Sequence, residues 1–309
     1  MGKKLRTVIS VTALAVFLFS AWKLLSRSRQ TKQTAKVTES YAAMAVTILP
    51  EPQTPAAPQT QTPAEEPEPT PAEPKTEPTV SVPSEDAPPD PEPQTQTQPQ
   101  TPVQPVPEPE PTPEVPQPAS GAPIAVDFDA LQAECGSIIA WIYSAGTPLS
   151  YPIVQSDDND YFLRRLPDGQ YNYSGSLFMD YRCAADFSDF CSVIYGHNLQ
   201  HSDTMFGSLL YYQEQWYYNT HPFLYLAVPG QTYRVELICG RETDASSGFY
   251  TFPKTAEERT AYVRLLSEGS TFQSSVSFDE NDRILLLSTC SYTFNGARYV
   301  VAGKLVPVE

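Results

Sequence analysis

Three residues in this chain could together break and remake an acyl bond. Cys290 ends the run Ile284-Leu285-Leu286-Leu287-Ser288-Thr289-Cys290, and Arg298 stands eight residues later in Ala297-Arg298-Tyr299-Val300-Val301. His197 closes Val193-Ile194-Tyr195-Gly196-His197. A thiol attacks as its thiolate, a form that neighbouring cations favour. An imidazole moves protons near neutral pH. A guanidinium gives directed hydrogen bonds to oxygen that is gaining negative charge. Taken singly, each residue has a bland reading, since a cysteine is a small buried apolar side chain and an arginine a surface charge. Taken together, they point to a cysteine-dependent acyl transferase or peptidase.

The elements that must position them are readable around them. An Ile/Leu run bounded by polar residues reads as a buried strand, with Cys290 where it runs out. A short loop containing Ser, Thr, Asn and Gly leads to a return strand over 299–306, with Arg298 at its start. His197 lies just past the apolar run 191–195, beside a glycine that lets the backbone turn. Each of the three thus begins or follows a strand, so they could share one end of a sheet. Further strands are expected at 138–143, 151–155, 176–179, 223–228 and 232–239. A short helix should open with Asp127 as N-cap and stop at Gly136, and a capped turn should fall over 157–163. The one long helix is expected over 256–268, entered by the capping box Thr255–Glu258 and closed by Gly269. Many short strands with scattered helices argue for a mainly β barrel or sandwich. His201 and His221 read as surface residues, and His197-x-x-x-His201 lacks the Glu of the helical zinc motif. Neither a metal nor a cofactor is expected.

Composition divides the 309 residues into three unlike parts. Residues 1–49 carry a charge of +7, residues 50–123 carry −12 with 25 of the 32 prolines, and the remainder carries −11. An acidic chain lacks the basic surface that nucleic-acid binding needs. Residues 7–22 are uncharged and mostly apolar and reach Leu25 if Lys23 snorkels to the headgroups, and those 19 residues span roughly 28 Å as a helix, just enough for a bilayer. Lys3, Lys4 and Arg6 precede them and no small-x-small cleavage site follows, so a retained signal anchor is expected, with residues 1–6 as a cytoplasmic tail. Residues 26–49 read as a basic juxtamembrane segment. Residues 50–123, Pro, Glu, Gln and Thr with almost no large apolar side chain, read as a disordered spacer. Its reach would be on the order of 200 Å if stretched as polyproline II. One folded domain is expected over 124–309.

The domain resembles the sortases, and among them class B. The motifs that carry the likeness are Leu287-Ser288-Thr289-Cys290, Ala297-Arg298-Tyr299-Val300-Val301 and Ile194-Tyr195-Gly196-His197-Asn198. Trp141-Ile142, Tyr151-Pro152-Ile153-Val154-Gln155, Asp158-Asn159 with Tyr161 and Leu163, Gly175-Ser176-Leu177-Phe178 and Met205-Phe206-Gly207 extend it over about residues 127–306. The resemblance implies an eight-stranded barrel with a helix between strands six and seven. It also implies a membrane-anchored transpeptidase on the outer face of Gram-positive cells, with the catalytic domain extracellular. Its partners would be surface proteins bearing a C-terminal sorting signal and an amine acceptor from peptidoglycan or a pilin. In the family's roles Cys290 attacks the signal's Thr carbonyl to form a thioester, His197 shuttles the proton, and Arg298 binds substrate backbone or the developing oxyanion. Asn159, Leu163, Ser288 and Thr289 fall at signal-groove positions. Ser291 stands where many members place an acid. The competing reading is a hydrolytic cysteine peptidase without useful transfer activity.

Five cysteines leave four besides Cys290: Cys135, Cys183, Cys191 and Cys239. Cys183 and Cys191 are near enough in sequence to pair, but four reduced, mostly buried thiols is the expected state.

Overall fold

The computed structural model describes residues 2–49, 121–199 and 202–308. In chain order the elements are helix α1 (Gly2–Ala45), β1 (Val46–Ile48), β2 (Ile124–Val126), α2 (Phe128–Glu134), β3 (Ile138–Tyr143), β4 (Ser150–Val154) and β5 (Leu177–Met179). They continue as β6 (Cys191–Tyr195), α3 (Gln215–Thr220), β7 (Phe223–Val228), β8 (Gln231–Asp244), α4 (Ala256–Ser267), β9 (Ile284–Cys290) and β10 (Ala297–Val308). Eight strands close into a barrel in the order β10-β8-β7-β3-β4-β5-β6-β9. The mainly β expectation thus resolves as a barrel, which leaves no free sheet edge.

Period-two burial builds it. Along β8, Tyr233, Val235 and Leu237 turn inward between half-buried neighbours, and the four aliphatic residues that open β9 are all buried. The aliphatic run of β9 is explained by its neighbours. It lies between β10, antiparallel, and β6, parallel, with apolar clusters on both faces. α4 falls where expected, between the sixth and seventh barrel strands, although α1 is longer. Thr255 accepts from the Glu258 amide while Glu258 caps the Thr255 amide. Asp127 caps α2, whose last turn closes on Cys135 rather than Gly136.

The folded unit begins earlier than residue 124. The helix over 26–45, expected as a juxtamembrane segment, lies against the barrel. Tyr41 and Ala45 are buried with Phe128, Leu131 and Trp141, and Thr34 is buried against Asn172. β1 then pairs antiparallel with β2, Ile48 facing Ile124, and the Leu49 amide donates to the Pro123 carbonyl at 2.7 Å. Leu49 and Pro123, near the two ends of the segment between β1 and β2, therefore stand side by side. Apart from 121–123, the expected spacer lies outside the described residues. Its length does not set the separation of helix and barrel, because the helix docks directly.

Closure entropy grows with the length of an excursion, by about 0.6 kcal/mol per doubling. Replacing residues 50–120 with a four-residue turn should therefore raise stability by about 2.5 kcal/mol and leave turnover of soluble peptides unchanged. Thermal unfolding checks this, and a lowered midpoint would contradict the β1–β2 hairpin.

The expected span at 7–25 lies inside α1, where side chains of the first residues fall outside the described ones. Among the described residues no helix is long and apolar enough to cross a membrane.

Candidate active site

Register brings the three chemical residues together. Arg298 of β10 stands directly opposite Cys290 of β9, so their side chains share a face about 5 Å apart at Cβ. On the other side of β9, Tyr195 pairs with Ser288 in a parallel ladder. The ladder is prolonged by the Gly196 amide to Ser288 O (3.1 Å) and by Thr289 Oγ1 to Gly196 O (2.8 Å), which brings His197 level with Cys290. A thiol on the central strand is thus flanked by an imidazole and a guanidinium on its neighbours. Gly196 is required for this approach, because a Cβ there would lie 2.4 Å from Leu177 Cδ2 and 2.6 Å from Phe206 Cδ2.

The three residues line one groove of about 310 Å³ with Asn159, Leu163, Phe178, Arg182, Tyr195, Tyr250, Ser288 and Thr289. Four of the five expected signal-binding residues therefore border it. Ser291 does not line it: its hydroxyl pairs with Thr293 Oγ1 at 3.2 Å, its amide with Ala297 O at 3.3 Å, and both bonds belong to the β9–β10 loop.

The tautomer of His197 follows from its partner. Nε2 lies 2.8 Å from Leu163 O, and a carbonyl only accepts, so Nε2 carries the proton. The lone pair of the neutral ring is then on Nδ1. Burial holds the imidazole below its ordinary value; the Leu163 bond opposes this, and the neighbouring Arg164 guanidinium adds to it.

The loops around Cys290 are tied to each other. Asn198 Nδ2 donates to Cys290 O at 2.8 Å, and the Tyr292 hydroxyl donates to Asn198 O at 2.8 Å. Tyr292 holds φ at 65°, a conformation unfavourable for a bulky side chain, and that bond helps keep it there.

Several site residues carry no signal in the sequence. Tyr250, in the segment after β8, bonds Ser288 Oγ at 2.8 Å across the groove. Asp180 is fully buried and accepts from Arg182 Nε (2.8 Å) and Nη2 (2.7 Å), from Asn159 Nδ2 (3.0 Å) and from the Tyr195 hydroxyl (2.9 Å). Burial pushes its carboxyl up, but the bonds from Arg182, Asn159 and Tyr195 outweigh this and hold it below the ordinary value. The Asn159 side chain is thereby fixed, since its Oδ1 also accepts from the Tyr181 amide at 3.1 Å. The motif Asp180-Tyr181-Arg182 offers only its spacing, Asp to Arg at i+2, as a clue.

A group with a depressed folded value stabilises above the ordinary carboxylate range and loses that contribution as pH falls through it. Asp180→Asn should therefore cost roughly 2 kcal/mol at neutral pH, and the gap to wild type should narrow below about pH 4. Denaturant unfolding at the two pH values measures this. A gap that persists in acid would deny Asp180 its charged role.

The other cysteines are unpaired and buried. Burial raises Cys183 and Cys239 to about 11 and Cys191 to about 12, and also raises Cys135, which keeps all four as unreactive thiols. Cys183 Sγ points to Cys191 O at 3.8 Å, and Cys191 Sγ to the Tyr262 hydroxyl at 3.2 Å. Among the described residues no cluster of His, Cys, Asp and Glu could hold a metal ion. His201 lies outside them.

No protein-family model matches the chain. It is similar to Sortase B of Listeria monocytogenes, with 33% identity over 175 residues covering 55% of this chain and 70% of the relative. Sortase B of Staphylococcus aureus is 28% identical over 187 residues, covering 59% of this chain and 75% of the relative. The solved Staphylococcus aureus sortase B–substrate complex superposes with a TM-score of 0.56 at 26% identity, covering 59% of this chain and 85% of that one.

Proposed function

The chain belongs to the sortase B family of cysteine transpeptidases, and we propose that Cys290, His197 and Arg298 carry its reaction on a C-terminal sorting signal at the cell surface. The observation that supports these roles is the three-strand register, which sets imidazole, thiol and guanidinium side by side on one groove.

The Cys290 thiolate attacks the carbonyl of the signal's Thr. A tetrahedral intermediate forms, and its oxyanion accepts hydrogen bonds from Arg298. Collapse breaks the peptide bond, the imidazolium of His197 gives its proton to the departing amine, and a thioester remains. An incoming amine then attacks the thioester, loses its proton to His197, and leaves a new amide and free Cys290. The chemistry needs no cofactor. His197 must be protonated in the first half and neutral in the second. Its depressed value suits the second half, because a neutral ring is ready to take the amine's proton.

The signal lies along the groove past Asn159, Leu163, Ser288 and Thr289, with Arg182 and Tyr250 as further walls. Ser291 turns into its own loop and makes no part of the groove wall. The acceptor is an amine of peptidoglycan or of a pilin.

Anchoring is part of the same reading. Leu14, Val16, Phe17, Leu18, Phe19, Trp22, Leu24 and Leu25 are all exposed on α1. An exposed stretch that is mostly apolar, with Lys23 near its end, is suited to lipid. The chain is then a single-pass protein with its catalytic domain outside the cell.

Incubating the enzyme with a Thr-Gly-containing peptide and triglycine tests the reaction. Ligated product is expected; acid product alone would establish a hydrolytic peptidase instead.

A further inference from the structure

His197 has a neighbour that the reaction scheme leaves idle. Arg164, in the 3-10 turn Phe162–Arg164, brings Nη1 to 3.3 Å from His197 Nε2. Both groups are donors when Nε2 is bonded to Leu163 O, so this is a contact of charge with ring rather than a hydrogen bond. The guanidinium is held from elsewhere. Nη1 donates to Tyr173 O at 2.5 Å, and the group stacks on the Tyr173 ring, 4.5 Å from its centroid. The Asn172 amide donates back to Arg164 O at 2.9 Å, which closes the segment into a narrow loop. Among the described residues no carboxylate pairs with Arg164. Its charge thus lies 3.3 Å from the imidazole with no carboxylate among the described residues to offset it.

The far side of that loop is gripped by α1. Arg27 lies over the same Tyr173 ring at 4.7 Å, and Gln30 Oε1 accepts from the Tyr173 amide at 2.9 Å. Asn172 is fully buried, its Nδ2 donating to Gln30 O (3.0 Å) and its Oδ1 accepting from Thr34 Oγ1 (3.1 Å). Helix, loop, guanidinium and imidazole form one contiguous chain of contacts. Gly175 packs the same knot from beneath, where a Cβ would lie 2.5 Å from Leu163 O, the carbonyl that holds the ring.

We propose that Arg164 is a positioning residue for His197, and that α1 keeps it in place through Arg27, Gln30 and the Asn172–Tyr173 segment. This rests on the reading of His197 as the proton carrier. The loop fixes the Leu163 carbonyl and so the ring's tautomer, while the adjacent charge favours the neutral ring and makes its protonated form a readier donor. Turnover thereby depends on the docked helix, although no described residue of α1 lines the groove. The charged and titratable groups that share the groove with the imidazole are Cys290 from β9, Arg298 from β10, Arg182 from the loop after β5, Tyr195 from β6 and Tyr250 from the segment after β8, and Arg164 approaches it from the 3-10 turn. Of these, Arg164 makes the 3.3 Å contact.

The test is an NMR titration of the histidine rings in the full chain, which has three histidines, with His197→Gln assigning the signal. Arg164→Gln should move the His197 titration upward by roughly half a pH unit or more and lower turnover at least tenfold. Arg164→Lys retains charge and should hold the titration near wild type. The double variant Arg27→Gln, Gln30→Ala should shift it in the same direction by less, with the active site untouched. An unmoved titration in Arg164→Gln would overturn the role of Arg164, and an unmoved titration in the helix variant would overturn the role of α1. If Arg164→Gln does not fold, the helix variant and Arg164→Lys carry the test. The titration needs no substrate, so inert sorting peptides would count against the proposed reaction and leave this inference standing.

Discussion

Cys290→Ala should abolish thioester formation and lower turnover by at least on the order of 10⁴-fold, because no other group can take over a covalent step. Stability should change little. Cys290 sits half-exposed at the end of β9, so removing its sulfur leaves no closed cavity. The same variant separates Cys290 from the other thiols. Cys135, Cys183, Cys191 and Cys239 are buried and raised, so brief treatment of the native protein with a thiol alkylator should add one mass increment, and none in Cys290→Ala. Mass spectrometry reads both the increment and the trapped acyl group. A trapped acyl group on the alanine variant would remove Cys290 as nucleophile, and rapid labelling of a second cysteine would contradict the burial.

The site was legible in the sequence to the extent that it lies on local signals. Cys290 and Arg298 flank a loop short enough to force an antiparallel return, so their facing register follows from spacing alone. His197 is marked by its place after an apolar strand and a glycine, but its partner strand carries no mark. β6 and β9 are parallel neighbours about ninety residues apart, and a parallel ladder leaves no mark in either strand's own pattern. The docking of α1 leaves no sequence signal for a different reason. Its grip on the barrel is made by Arg27, Gln30 and Thr34, polar residues that in sequence look like a solvated stretch, with Tyr41 and Ala45 as the buried apolar contacts. A three-residue strand before a proline-rich segment, β1, is too short to be noticed. Arg164 beside Arg165 likewise reads as surface charge, and only the fold aims one of the pair at an imidazole and the other at the Tyr161 ring.

Arg298→Lys should be nearly as damaging as Arg298→Ala, with losses on the order of a hundred- to a thousand-fold in turnover for each. The structure explains why retained charge is insufficient. Arg298 Nη1 already binds the loop carbonyls of Gly296 (3.3 Å) and Ala297 (3.1 Å), which fixes the plane of the fork. Nε and Nη2 are then the donors left to serve the groove that Arg298 lines with Cys290. A lysine ammonium is a single point on a flexible stem, and it cannot hold the loop carbonyls and an oxyanion in a fixed geometry together. Were the residue needed only as a positive charge near the thiol, lysine would restore most of the rate. Its place directly opposite Cys290 in the β9–β10 register argues otherwise, since a charge acting through space tolerates many positions and a directed donor tolerates few. Steady-state kinetics on a sorting peptide decide between them. Turnover of Arg298→Lys within about threefold of wild type, a cost below ~1 kcal/mol, would refute the directed role.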